Sequence, residues 1–193
     1  PQHKFITKQL IDKGWSEDKK YCLTDEQGKR FLLRVSPIEQ YDRKKSEYEL
    51  MSQVATLGVP MCKPLEFGTS DEGVYSIQTW IDGVDVEENV HNLTCEEQYS
   101  YGFEAGRILK EIHKIPAPKG IEDWEIYFNR KADRKIKMYE ECPIKYENGQ
   151  AFIDYINAHR YLLIGRPRTY QHGDYHIGNM MIGNDKQLYI IDF

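Results

Sequence analysis

The feature that most constrains this chain lies in residues 170–193. Tyr170-Gln171-His172-Gly173-Asp174-Tyr175-His176-Ile177-Gly178-Asn179 leads into two apolar runs, Met180-Met181-Ile182 and Leu188-Tyr189-Ile190-Ile191, before Asp192 and Phe193. Between the runs stands the polar stretch Gly183-Asn184-Asp185-Lys186-Gln187. Apolar runs flanking a short Gly-, Asn- and Asp-containing stretch predict a β-hairpin. A loop of Asn184 to Gln187 places Gly183 opposite Leu188 and, further along the ladder, Asn179 opposite Asp192. Opposed residues of an antiparallel pair have Cβ atoms ~5 Å apart. An amide oxygen and a carboxylate at that spacing can hold a hard cation such as Mg²⁺. Asp174, just upstream, brings a second carboxylate to the same end of the hairpin.

The preceding chain must carry this hairpin. Strands are predicted at 21–24 and 30–35, joined by the turn Asp25-Glu26-Gln27-Gly28-Lys29. In the second strand Leu32 and Arg34 share one face, while Phe31, Leu33 and Val35 share the other. A helix is predicted over 42–57, with Leu50, Met51, Val54 and Leu57 on one stripe and Gly58-Val59-Pro60 ending it. Glu47 falls three and four residues before Leu50 and Met51, on the inward face, where a carboxylate needs a cationic partner. Two short strands follow around 65–68 and 74–81.

From Asp82-Gly83 onward the pattern is helical. Thr94 with Glu97 reads as a capping box. Behind it Tyr101, Ala105, Ile108, Ile112 and Ile115 mark an amphipathic helix stopped by Pro116 and Pro118. Gly102 and Gly106 read as close-packing positions within it. Two further charged helices are predicted over 123–139 and 150–163. The expected organisation is a strand-rich lobe over 1–82 and a helix-rich lobe over 83–193.

Composition removes several classes of function. Among 193 residues, 40% are hydrophobic and the formal net charge is −5, which suits a globular chain with a real core. A pI near 5.7 argues against nucleic acid as the main partner. No apolar stretch approaches a membrane span, and no signal peptide is seen, so a cytoplasmic protein without a membrane partner is expected. Cys22, Cys62, Cys95 and Cys142 are far apart, with no C-x-x-C pair; free thiols are expected rather than disulfides or zinc. His172 and His176 have a metal-like spacing but no third ligand, so His172 reads as a residue that orients backbone. His113 reads as a structural charge at a helix C-terminus.

The order H-G-D-x-x-x-x-N, followed after the hairpin by I-D-F, resembles the catalytic and metal-binding segments of protein kinases. Gly173 after His172 is more similar to the aminoglycoside phosphotransferase and choline kinase branch. Gly14-Trp15-Ser16-Glu17-Asp18-Lys19-Lys20-Tyr21, Phe31-Leu32-Leu33-Arg34-Val35, Trp80-Ile81-Asp82-Gly83 and Gly106-Arg107-Ile108-Leu109-Lys110-Glu111-Ile112-His113 extend that resemblance through nearly the whole chain.

The resemblance implies an α+β, two-lobed protein-kinase-like fold. Asp174 would be the catalytic base, and Asn179 and Asp192 would bind Mg²⁺. Arg34 would contact phosphates from the position usually held by Lys, paired with Glu47. Trp80 and Ile81 would offer backbone groups to a purine, and Ser16 would touch phosphate from a turn that lacks G-x-G-x-x-G. The implied activity moves the γ-phosphate of ATP or GTP to a hydroxyl of a small molecule, with an aminoglycoside as favoured acceptor. Macrolides, choline or homoserine are the nearest alternatives, and a nucleotide-binding module without turnover is the alternative from another class. The family continues beyond the position of Phe193 with helices that build most of the acceptor site.

Overall fold

The structure, a computed structural model, describes residues 4–12 and 18–193. It divides into two compact units, residues 1–115 with 171–193, and residues 116–170.

In the first unit, β1 (Phe5–Ile11), β2 (Lys19–Asp25), β3 (Arg30–Ser36), β4 (Pro64–Ser70) and β5 (Gly73–Thr79) form an antiparallel sheet in the order β1-β2-β3-β5-β4. Alternation along β3 decides its faces. Phe31 and Val35 are buried, while Arg34 emerges on the opposite side with Leu32. Leu23, Phe31 and Ile77 form the sheet's core, with Phe5 meeting Phe31 edge-on at 5.4 Å. Helix α1 (Tyr41–Thr56) buries Met51 and Val54, and Tyr41 and Tyr48 rest on Phe67 of β4 at 5.5 and 5.3 Å. Leu50 and Leu57 are only half-buried. The inward stripe of α1 is therefore narrower than its apolar spacing predicts.

A second, three-stranded sheet has the order β6-β7-β8, from β6 (Gly83–Asp85), β7 (Met180–Gly183) and β8 (Leu188–Ile190). A Cβ at Gly83 would lie 2.2 Å from the Ile182 carbonyl oxygen, so only glycine permits this close approach of β6 to β7. The short helix α2 (Val86–Asn89) leads to α3 (Cys95–Ile112). Thr94 caps α3 as its sequence requires: its Oγ1 accepts the Glu97 N–H at 3.2 Å, and Glu97 Oε2 accepts the Thr94 N–H at 2.8 Å. Ala105, Ile108 and Ile112 are buried along α3, and Ile115 follows them. The helix ends at Ile112 with His113 as its C-cap, ahead of Pro116. A Cβ at Gly102 or Gly106 would meet nothing within 4 Å. Neither glycine is a close-packing position, contrary to expectation.

The second unit contains α4 (Trp124–Glu141) and α5 (Gly149–Ala158). The helix predicted over 150–163 breaks at His159, and the remainder forms a 3₁₀ turn over Arg160–Leu163. Arg160 ties this turn to α4 through Asn129 at 2.8 Å and Asp133 at 2.6 Å.

The hairpin register differs from the predicted one. Gly183 N–H donates to the Gln187 carbonyl, and Lys186, at φ 64°, closes a loop of only three residues, Asn184–Lys186. The rungs are Met180–Ile190, Met181–Tyr189 and Ile182–Leu188. A four-residue loop would have set buried Ile182 against half-exposed Tyr189; a shift of one residue exchanges the faces of a strand. The observed register pairs buried with buried residues. Consequently Ile191, not Asp192, lies across from Asn179, and its N–H donates to the Asn179 carbonyl at 3.0 Å.

Removing the capping hydroxyl with Thr94→Ala is expected to cost about 1 kcal/mol of stability, read as a lower urea midpoint with an unchanged m-value.

Candidate active site

The hairpin and the turn before it carry the Asp174 group. Gly173, at φ 87°, takes the left-handed conformation that turns the chain ahead of Asp174. His172 is buried, and its Nε2 lies 3.0 Å from the Ile191 carbonyl oxygen. A carbonyl only accepts, so this nitrogen carries the ring proton. Burial lowers the pKa of His172, against the opposing pull of that hydrogen bond and of Asp192. Its ring meets Phe193 edge-on at 4.8 Å and Tyr175 at 5.5 Å. Tyr175 in turn donates its hydroxyl to the Ala105 carbonyl of α3 at 2.6 Å, and burial pushes the phenol up to about 12. His172 therefore orients backbone, as its sequence context suggests, and Tyr175 is an anchor that the sequence reading missed.

Asp174 is 73% exposed. The Asn179 amide donates to its carbonyl oxygen at 2.9 Å and to its Oδ2 at 3.1 Å. His176 Nε2 lies 3.3 Å from the same Oδ2, while His176 Nδ1 accepts the Gly178 N–H at 3.0 Å. Because Nδ2 of Asn179 is committed to Asp174, the amide oxygen of Asn179 is left for another partner.

Asp192 leaves the strand by a positive φ of 66°, a conformation that aspartate tolerates better than most residues. It accepts from Arg34 Nη1 at 2.8 Å. Burial pushes its carboxyl upward, but the charge and hydrogen bond of Arg34, with Lys20 and His172 behind them, hold it below the usual aspartate value. The sequence reading set Asn179 and Asp192 face to face across the ladder. Instead, Asn179 is turned to Asp174 and Asp192 to Arg34.

Arg34 is 15% exposed, and its other partner is Asp18, reached by Nε at 3.2 Å and Nη2 at 3.1 Å. The Asp18 side chain, only 3% exposed, also accepts from Ser36 Oγ at 2.7 Å and Lys44 Nζ at 2.9 Å. Burial raises the pKa of Asp18, yet those hydrogen bonds and cations bring it below the usual value. Glu47 pairs with Lys44 at 3.0 Å and Arg43 at 3.8 Å. The expected direct Arg34–Glu47 pair is replaced by a chain running Arg34–Asp18–Lys44–Glu47. Both ends of that chain line one cavity with Met51, Phe67 and Phe193. The patterns used to find Glu47 gave no signal for Asp18, which precedes its strand and lies on no periodic face.

Ile81 is buried and Trp80 half-buried just after β5, with the Arg30 guanidinium 5.3 Å from the Trp80 ring centroid. Arg30 also pairs with Asp82. Ser16 lies outside the described residues. The four cysteines are free, and no helix among the described residues is long and apolar enough to cross a membrane.

A family model described as the phosphotransferase enzyme family matches residues 8–193. The chain belongs to that family. No curated protein matches this chain in sequence. Among solved structures it is similar to a candidate fructosamine-3-kinase from Haemophilus somnus 129PT, with 11% identity, a TM-score of 0.66, and coverage of 98% of this chain and 66% of that one. It is also similar to APH(2'')-IIa in a ternary complex with streptomycin and ATP, at 16% identity and a TM-score of 0.64, over 97% of this chain and 65% of that one. The amicoumacin kinase hAmiN, in complex with AMP-PNP, Ca²⁺ and Ami, matches at 16% identity and a TM-score of 0.60, over 95% of this chain and 58% of that one. The chain spans 66% or less of these relatives' lengths. At such identities the likeness shows the fold, an α+β protein-kinase-like one.

The site's carboxylates make its stability dependent on pH with a definite sign. Asp18 and Asp192 have native pKa values below the ordinary 3.8, so their contribution is full above that value and lost as pH falls through the lowered ones. Asp18→Asn is expected to cost about 3 kcal/mol at neutral pH, because two cations lose their shared buried partner. It should also flatten the acid side of the stability profile, measured by urea unfolding at stepped pH.

Proposed function

We propose that the full-length protein is a Mg²⁺-dependent phosphotransferase that moves the γ-phosphate of ATP or GTP to a hydroxyl of a small molecule. The observation that carries this reading is the pairing of two differently placed carboxylates. Asp174 is 73% exposed and oriented by Asn179, while Asp192 is 42% exposed and held against Arg34. In this reading Asp174 receives the acceptor's hydroxyl proton as the new O–P bond forms and the bond to the departing nucleoside diphosphate breaks.

The donor set fits a hard divalent cation. Asp192 supplies carboxylate oxygen, and Asn179 has its amide oxygen uncommitted. Bound there, Mg²⁺ would neutralise charge on the phosphates. Arg34 and Glu47 belong to the phosphate end of the nucleotide site, with Ser16 as a further phosphate contact. The backbone of Trp80 and Ile81 meets the purine where the strand-rich lobe, 1–82, passes into the catalytic lobe, 83–193. An aminoglycoside antibiotic is the favoured acceptor. Resemblance carries that choice, together with the streptomycin and gentamicin bound by similar structures and a net charge of −5 that suits a polycationic substrate. The cytoplasm, where nucleoside triphosphates and reduced thiols coexist, is the proposed location, and neither nucleic acid nor membrane is a proposed partner.

Asp174→Asn keeps the shape of the side chain but cannot take a proton. In the full-length enzyme kcat should fall roughly 10²–10⁴-fold with nucleotide Kd nearly unchanged. Parental turnover in this variant would remove the base assignment, and loss of nucleotide binding would recast Asp174 as a metal ligand.

Asp192→Ala should abolish Mg²⁺-dependent nucleotide binding in titration calorimetry while a cooperative thermal transition persists. Unchanged affinity would refute the metal assignment.

A further inference from the structure

One cation beside this site has no carboxylate of its own. Lys20 on β2 is the direct cross-strand partner of Arg34 on β3. Opposed side chains in an antiparallel pair emerge on the same face, with Cβ atoms ~5 Å apart. Lys20 is half-buried, and no carboxylate of the described residues comes within ion-pair distance of its ammonium. Asp18 is taken by Arg34 and Lys44, and Asp192 by Arg34. Burial and the neighbouring charge of Arg34 weaken the hold of Lys20 on its proton, and the attraction of Asp192 and Asp18 does not restore it. Like charges directly opposed across a strand pair destabilise a fold. An anion bound between Lys20 and Arg34 would relieve that repulsion.

Resting on the reading that Arg34 faces the phosphates, we propose that Lys20 is a second phosphate ligand of the nucleotide site. Arg34 presents a planar fork already committed to two carboxylates on different elements. Lys20 supplies a compact ammonium, free of such commitments, on the same face of the sheet. The ligand class is the di- or triphosphate of a nucleotide, and the nucleoside part plays no role in this contact.

The test uses the full-length protein with ATP, ADP and adenosine, each titrated in the presence of Mg²⁺. Lys20→Met should weaken ATP and ADP about tenfold or more and leave adenosine unchanged. The loss should shrink at high salt, and the melting temperature should not fall. Lys20→Arg should keep most of the phosphate-dependent affinity. Parental binding of all three ligands by Lys20→Met overturns the assignment, and so does equal weakening of all three. Arg34→Gln separates the two levels of inference. If it too leaves the difference between ATP and adenosine intact, the phosphate site itself is misplaced. If it abolishes that difference while Lys20→Met binds like the parent, only Lys20 is misassigned.

Discussion

The guanidinium of Arg34, shared between Asp18 and Asp192, is the interaction on which the rest of the site depends. It joins Asp18 just before β2, its own strand β3, and Asp192 just after β8, the last of these 158 residues from Arg34 along the chain. A buried cation is tolerated only when its charge and its N–H groups are met, and here Nε, Nη1 and Nη2 all have carboxylate partners. A lysine could not serve both carboxylates in this way, because its ammonium is a point charge on a flexible stem and Arg34 uses the width of its fork. Arginine at this position is thus a structural choice beside its proposed contact with phosphate. Asp18 then passes the constraint on to α1 through Lys44, so the helix carrying Glu47 is fixed relative to the sheet.

A second set of constraints holds the segment around Asp174. His172 grips the Ile191 carbonyl, Tyr175 grips the Ala105 carbonyl, and Asn179 grips Asp174 itself. Each is a short contact made by a side chain within a few residues of Asp174, and two of the three end on backbone that the core already fixes. Ile190 beside Ile191 is fully buried, and Ala105 lies on the buried stripe of α3. The result is a carboxylate that is exposed yet mounted on well-fixed supports, as its proposed role as proton acceptor requires.

Much of this was legible in the sequence where periodicity and chemistry agreed. The Thr94–Glu97 box, the Ala105–Ile108–Ile112 stripe and the alternation along β3 all emerge in the fold as read. The hairpin shows where reading stopped short. Leu188-Tyr189-Ile190 alternates apolar and amphipathic residues, so Leu188 and Ile190 belong to one face, and burial requires a facing residue of the same kind across the ladder. In the fold that condition is met by the three-residue loop, whose rungs join buried Met180 with buried Ile190 and buried Ile182 with buried Leu188. Met180-Met181-Ile182 is apolar throughout, so its sequence does not mark which residues face inward, and the polar stretch alone does not set the loop length. Asp18 was beyond reach for another reason. Its role depends on three donors brought together by tertiary structure, and no local spacing records that.

In the proposed mechanism, placement divides labour between two chemically identical groups, Asp174 and Asp192. Asp192 is less exposed than Asp174, with one oxygen engaged by Arg34 and its ionised form favoured by neighbouring cations. A carboxylate kept ionised and fixed in place suits a ligand for positive charge. Asp174 meets the Asn179 amide and the His176 ring, stands mostly in solvent and is open to the hydroxyl of the proposed acceptor. Exchanging the two environments would defeat both tasks. An exposed ligand would gain nothing from its preset charge, and a proton acceptor pressed against a guanidinium would have no side open to substrate. The left-handed turn at Gly173 and the positive φ of Asp192 create this separation. Each sends a carboxylate out of the regular backbone direction and towards its own neighbours.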